Sequence, residues 1–247
     1  MKLLRKFRRN LINLGKFKSY LIYALGEIVL IVIGVTIAWK INDLNDIRKS
    51  QILTHKIEVN LNEELSANLR LLKRKIAIDS EMVAYLENTL KYVGKNESEL
   101  SQGAKDTITN IAHVEVQLLE STLNSVLTTS KLEQISNVKL KDLLSLYYHK
   151  IEKFKNQEKV IEAIISEKLK PILEEYVSLS EILPENEKYK HIKTYGNPSN
   201  YSGLLSSKKY QNSVIDRLLE TQIQLENSKT LLSKTKTIIV ELEAEMK

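Results

Sequence analysis

Apolar and polar residues are distributed differently on the two sides of about residue 40. From Ser19 to Trp39 the chain is almost wholly apolar, and Glu27 is the one charged residue. About 20 apolar residues, each rising about 1.5 Å in a helix, span the roughly 30 Å hydrocarbon core of a membrane. Tyr20 and Trp39 lie at the two ends, where aromatic side chains favour the membrane–water interface. The pattern predicts one transmembrane helix over residues 19–40.

A cleaved signal peptide is the alternative interpretation of this stretch. Its apolar core is about 7–15 residues long and precedes a cleavage site of small residues. The observed run is longer, Thr36 and Ala38 match such a site weakly, and the helical pattern continues through Trp39 and Ile41. The sequence therefore favours an uncleaved membrane anchor.

Beyond residue 40, apolar residues recur at steps of three and four. This spacing is typical of a heptad-like helical stripe, and it predicts a helix over about residues 43–93 that continues the membrane helix. Asp79 occupies one position of the stripe, where it acts either as a polar residue that sets the register or as a local break. The apolar members are Leu61, Leu65, Leu69, Leu72, Ile76, Val83, Leu86, Leu90 and Val93.

The rest of the chain predicts further helices. Short helices are expected from about Asp106 to Val116 and over 120–127, and a long one over about 139–176 that Pro171 either kinks or divides. A last helix is expected over about 207–246. Its predicted apolar stripe is Tyr210, Val214, Leu218, Ile223, Leu225, Leu232, Ile239 and Leu242.

These elements predict an all-α fold. One N-terminal transmembrane helix continues into a long antiparallel helical bundle, coiled-coil-like, outside the membrane. The low content of turn residues, 7 Gly and 3 Pro, agrees with long helices. The expected organisation is a basic cytoplasmic tail (1–18), the transmembrane helix (19–40) and a periplasmic helical-bundle domain (41–247), with an irregular segment at about 180–207.

Positive charge is concentrated at the amino-terminal end of the chain. The first 18 residues hold seven basic residues and no acid: Lys2, Arg5, Lys6, Arg8, Arg9, Lys16 and Lys18. The positive-inside rule places this tail in the cytoplasm, where it is expected to contact anionic lipid. Of the net charge of +6, the residues after Lys40 carry about −1, so nucleic acid is not an expected partner.

Glu27 is the most informative residue of the membrane segment. A carboxyl group buried in lipid costs at least about 2–3 kcal/mol, so such residues usually face a partner or a water-filled cavity. Helical spacing places it on one face with Tyr20, Tyr23, Ile31, Gly34 and Ala38, and Gly34-xxx-Ala38 is a small-xxx-small packing pattern. We interpret this face, the Glu27 stripe, as a helix–helix interface. The alternative is a neutral, lipid-facing Glu27 with Gly34 incidental.

The sequence indicates no catalytic, cofactor-binding or metal-binding residues. Nucleotide-binding, zinc-protease and serine-hydrolase motifs are absent, and the four His residues are scattered. With no Cys in the chain, disulfides and thiolate metal sites are excluded. Tyr189, Tyr195 and Tyr201 lie in the irregular segment, where they form either a partner surface or anchors that pin the loop.

The amino-terminal motifs resemble those of an uncharacterised family of single-pass inner-membrane proteins, common in flavobacteria and other Bacteroidota. The resemblance rests on YLIYALGEIVLIVIGV followed by INDLN, although Leu44 stands where that family usually has Trp. Residues 123–148 and 204–212 resemble further family segments. The positions that fall on the amino-terminal pattern are Tyr23, Gly26, Glu27, Gly34, Ala38 and Asn42. The resemblance implies a bacterial inner-membrane protein with a periplasmic helical domain, and it implies no activity.

Three functional hypotheses follow. The first is a non-enzymatic, membrane-anchored scaffold or accessory subunit that oligomerises or joins a larger membrane-protein complex. The second is a periplasmic ligand sensor that signals through a partner, since the short tail holds no output domain. The third is an ion- or proton-coupled subunit of a membrane complex that uses Glu27.

Overall fold

A computed structural model describes residues 17–129, 131–135, 137–183 and 186–246. The regular structure within these ranges is helical, with no strand. The chain divides into two compact units, residues 1–56 and 57–247, and each is described by itself below. Helix α1, Phe17–Leu90, contributes to both units. Of the seven predicted tail residues, all but Lys18 lie outside the described ranges.

The first unit contains the apolar part of α1. In the described residues this is the one stretch long and apolar enough to cross a membrane, with a mean hydropathy of 2.4 over its best window and none of that window buried. Polar side chains past Lys40 pair locally, as Lys40 does with Asp43 and Asn42 with Asp46. The prediction of a candidate membrane helix near the amino terminus is confirmed.

The second unit adds the remaining helices. After α1 come α2 (Gln102–Thr109), α3 (Ser121–Thr128), α4 (Lys131–Gln134), α5 (Val138–Ala163), α6 (Lys170–Tyr176), α7 (Tyr201–Ser206) and α8 (Lys208–Glu245). A π-helical turn, Ile164–Leu169, joins α5 to α6, and Pro171 follows it near the start of α6. Side-chain oxygens cap four of these helices: Ser101, Asn137, Asn200 and Ser207 each accept a hydrogen bond from a backbone N–H of the first turn.

Two apolar cores hold the second unit together. The first joins α1 to α5 and α8 through residues such as Leu65, Leu144 and Ile238. The second gathers Leu86 of α1, residues of α2, α6 and α7, and the start of α8. Along α1 the two cores are separated by buried polar residues between Leu72 and Leu86, and this polar layer is the candidate site described below.

As expected, the candidate membrane helix continues into the helix that begins at about residue 43. The combined helix α1 runs unbroken through Asp79 to Leu90, so of the two alternatives for Asp79 the break is excluded. One expectation is wrong. The helix expected to reach Val116 ends at Thr109. Residues 110–120, which we call the strap, are not helical, because their backbone is held by side chains of other helices.

The buried faces of the long helices also differ from the predicted stripes. On α1 the buried positions after Leu65 include Asn68 and Lys75, whereas their apolar neighbours Leu69 and Ile76 are half-buried. On α8, Ile223 was expected on the buried stripe but is exposed. The buried face of α8 instead runs through Val214, Arg217, Thr221, Gln224, Ser228, Leu231, Thr235, Ile238 and Leu242, at steps of three and four.

Candidate functional site

The Glu27 stripe lies on a helix surface that no described residue of the first unit covers. Tyr23, Glu27, Gly34 and Ala38 are exposed, and Tyr20 is half-exposed. A methyl group added at Gly34 would meet no atom within 4 Å, so no neighbouring segment of the described chain requires a glycine there. Trp39, predicted as the outer interfacial residue, is 66% exposed.

The three tyrosines of the irregular segment have different surroundings. Tyr195 is 68% exposed and Tyr189 is half-buried. Tyr201 is the first residue of α7 and belongs to the second core, where the ammonium of Lys105 lies 4.7 Å from its ring centre. A partner that docks on this segment would therefore meet the ring of Tyr195 rather than that of Tyr201.

A buried charge cluster, made of Lys75, Asp79, His113 and Glu158, lies in the polar layer between the two cores. Lys75 is fully buried, and its Nζ lies 2.9 Å from Asp79 Oδ1 and 2.8 Å from Glu158 Oε1. The same ammonium donates to the Val114 carbonyl oxygen at 3.2 Å. Lys75 thus has three acceptors for its three protons, as a buried ammonium requires.

The two carboxyl groups of the cluster differ in environment. Burial would raise the pKa of Glu158, but His113, whose Nε2 is 3.1 Å from Glu158 Oε2, Lys75 and a hydrogen bond from Gln224 together lower that pKa. Burial raises the pKa of Asp79 to about 6, because Lys75 only partly offsets it. Asp79 Oδ2 is buried without a hydrogen-bond partner in the described structure. Glu158 is therefore the buried carboxylate with more polar partners, and Asp79 is the one that favours a proton.

The strap crosses this layer, and buried side chains hold its backbone. The amide of Asn68 makes two bonds to Leu119, accepting from its N–H at 2.7 Å and donating to its carbonyl at 2.6 Å. Asn68 therefore replaces the neighbouring strand that an extended backbone would otherwise need. At the far end, Arg217 Nη2 donates to the Ala112 carbonyl at 2.6 Å.

The helices next to the strap are positioned in the same way, by hydrogen bonds between side chains of other helices and backbone groups. The carboxylate of Glu64 on α1 accepts hydrogen bonds from the backbone N–H groups of Thr122 and Leu123, at 2.6 and 3.0 Å. A carboxylate at a helix N-terminus compensates both the free N–H groups and the helix dipole of α3. Tyr210 of α8 donates to the Ile108 carbonyl at 2.8 Å, near the end of α2.

Arg217 is the second buried cation of this layer. Its side chain is 1% exposed, and burial lowers its pKa to about 10. Its guanidinium bonds carbonyl groups of the strap and approaches Met82 Sδ at 3.4 Å. It therefore stabilises a backbone segment, which is the usual work of a structural rather than a catalytic arginine.

Sequence reasoning missed this layer because it followed apolar residues. The signal was present as polar residues at heptad spacing: Asn68, Lys75 and Asp79 continue the series of Leu61, Leu65 and Leu72 at steps of three and four. Lys75 and Asp79 are also four residues apart, the spacing at which opposite charges meet on a helix. Glu158 carried the same signal on α5, where it fills the position between Phe154 and Ile161. His113 carried none, because only the fold brings the strap to this layer.

A shallow groove opens at the strap's first residues. Its volume is about 580 Å³, and its lining includes Asp106, Asn110, Glu181 and Lys193. Within the described residues, no group of three or more His, Asp and Glu side chains is arranged to hold a metal ion. Comparisons of the chain with models of protein families, with curated proteins and with solved structures give no match.

Proposed function

We propose that this protein is a non-enzymatic, single-pass membrane anchor that serves as a scaffold or accessory subunit. Its helical domain and its Glu27 stripe would bind a second copy of the chain or another membrane protein. The observation that carries the proposal is the exposed apolar stretch of α1, in which a carboxyl group and a glycine share one uncovered face.

The chemistry of that face favours a protein partner over lipid. In hydrocarbon, the Glu27 carboxyl group needs a hydrogen-bond partner or a proton, and a facing helix can supply the partner. Gly34 and Ala38 lie on the same face and let a second helix approach closely. The open space beside Gly34 is what an unoccupied helix–helix contact requires.

The domain that follows is proposed to be an antiparallel, coiled-coil-like bundle. Buried positions on α1 and α8 recur at steps of three and four, the spacing of a heptad seam. A bundle whose buried polar residues fix the pairing of its helices would present a constant surface to a partner. This suits a scaffold better than a module that must refold on binding.

The proposed location is the bacterial inner membrane, with the amino terminus in the cytoplasm and residues 41–247 in the periplasm. The support is the basic amino-terminal tail, which the positive-inside rule retains in the cytoplasm and which anionic lipid attracts. The resemblance to single-pass proteins of Bacteroidota points the same way. No role in nucleic-acid binding is proposed, because the charge after Lys40 is balanced.

The test compares two glycines of the same helix. Gly34→Leu places a bulky side chain on the Glu27 stripe, whereas Gly26→Leu places the same side chain about 100° away from Glu27. Neither substitution clashes within the described chain, because both positions are open. We expect Gly34→Leu to shift the complex seen by in-membrane crosslinking and native electrophoresis towards the monomer, and Gly26→Leu to leave it intact.

A Glu27→Leu variant extends the same test. Loss of the carboxyl group should weaken the complex in the same direction as Gly34→Leu. Complexes of unchanged size in both Gly34→Leu and Glu27→Leu would overturn the proposal that this face is an interface. The ligand-sensor and proton-coupled hypotheses stay predictions.

A further inference from the structure

The buried charge cluster is not electrically balanced. Lys75 contributes one positive charge, while Asp79 and Glu158 contribute two carboxylates, so one negative charge is in excess whenever His113 is neutral. Gln224, the other group that contacts Glu158, is uncharged. An excess charge in a protein interior is costly, and a bound proton removes it.

This imbalance lies where the strap is attached. Lys75 and Glu158 hold the strap through the Val114 carbonyl and the His113 ring, and the next strap residue whose backbone is bonded is Leu119. Between Val114 and Leu119, no backbone hydrogen bond of the strap to another described residue is present. The cluster is therefore the nearest polar attachment of the middle of the strap, which is also held by the apolar packing of Val116 and Leu118.

We propose that the buried charge cluster is a proton-operated latch, in which Asp79 takes up one proton on mild acidification and thereby tightens the attachment of the strap to α1 and α5. With Asp79 neutral, Lys75 and Glu158 become a balanced pair, and Lys75 remains the donor to the Val114 carbonyl. Asp79 Oδ2 and Glu158 Oε2 are both buried without a hydrogen-bond partner among the described residues. Glu158 has Gln224 as a donor besides Lys75, whereas Asp79 has Lys75 alone, so Asp79 Oδ2 is the atom that receives the proton.

The direction of the pH effect follows from linkage. Burial raises the pKa of Asp79 from its ordinary value of 3.8 to about 6, so its contribution to stability is complete below about pH 4 and is lost as the pH rises through 6. Glu158 has a lowered pKa, so its contribution is present above its ordinary value of 4.5 and is lost as the pH falls through its folded pKa. The latch is therefore tightest between about pH 4.5 and 6.

Hydrogen exchange of the full-length chain in detergent micelles tests the latch. After correction for intrinsic exchange rates, the amide of Leu119, the next hydrogen-bonded N–H of the strap after the cluster, should be about four-fold better protected at pH 5.5 than at pH 7.5. Asp79→Asn, which is isosteric and cannot titrate, should abolish the difference and give high protection at both pH values. Asp142→Asn, a matched change at an exposed position of α5, should leave the wild-type response.

His113 is the remaining ionisable side chain of the cluster. In His113→Gln the response should persist with the same sign, because Asp79 still titrates. A flat profile in His113→Gln would assign the proton to the imidazole and overturn the proposal. So would a wild-type strap that shows no pH response, or an Asp79→Asn variant that keeps it.

Discussion

Residues 19–40 and residues 57–90 belong to the same helix, α1, yet their side chains meet opposite surroundings. In the first stretch large apolar residues such as Leu30 and Trp39 are 71% and 66% exposed. In the second stretch the buried positions include Lys75, at 0% exposure, and Asp79, at 3%. In this protein the positions of apolar residues therefore do not identify the buried face of a helix. The polar side chains that require a hydrogen-bond or charge partner do identify it.

The two stretches of α1 show two ways in which a sequence determines the surroundings of a helix. The first stretch is suited to a hydrocarbon solvent, where only the carboxyl group of Glu27 requires a specific partner. The second stretch adds to its apolar contacts a layer of polar residues that accept only one pairing with the strap and α5. Buried polar residues at heptad positions usually fix register at some cost in stability.

The largest effect is expected when the buried cation is removed. Lys75→Met leaves Asp79 and Glu158 buried without their ammonium partner, and we expect a loss of about 3–5 kcal/mol in the free energy of unfolding. Denaturant titration of the full-length chain in micelles measures it. Lys73→Met, at an exposed position two residues away, should change stability by less than about 0.5 kcal/mol. If the two variants unfold alike, the cluster has no role in stability.

A second pair of substitutions compares the two stretches directly. Leu72 is fully buried in the first core, so Leu72→Ala should cost about 2–5 kcal/mol through lost contacts and the cavity that remains. Leu30→Ala makes the same chemical change in the exposed apolar stretch and should leave the unfolding of the helical domain unchanged. Equal losses in both variants would mean that residues 19–40 also pack within the folded chain.

The smallest expected effect concerns the strap. Asn68→Ala removes both hydrogen bonds to Leu119 and leaves a backbone N–H and a carbonyl without their partner, at a cost of about 1–3 kcal/mol. The loss should be accompanied by faster amide exchange at Leu119. Asn60→Ala, at an exposed position of the same helix, is the control. Unchanged exchange at Leu119 would show that the hydrogen bond to Asn68 is not what protects this N–H.

The class of fold and the candidate membrane helix were predictable because they depend on residues close in sequence. Long helices follow from periodic apolar residues, and the positions at which α5 and α8 begin follow from the capping residues Asn137 and Ser207. For Asp79 the sequence left a break and a register-setting residue open, and the unbroken helix excludes the break.

The buried layer was not predictable for a physical reason. Leu69 and Ile76 are each one position from the buried residues Asn68 and Lys75 of α1, so the apolar pattern points to a slightly rotated face. The helical pattern expected after Asp106 ends early because side chains from distant parts of the chain bond the strap backbone. Asn68 is 51 residues from Leu119, and no local signal encodes such a contact.

The attachments of the strap also set an order of events during synthesis. Its first anchor, Asn68, is already made when Leu119 leaves the ribosome, but Arg217 follows Ala112 by 105 residues. At a translation rate of about 5–20 residues per second, the strap waits about 5–20 s for its last anchor. Until α8 arrives, the Ala112 carbonyl lacks the guanidinium of Arg217. The newly made chain is therefore most vulnerable to proteases and to wrong partners in this interval, and completion of the last helix ends it.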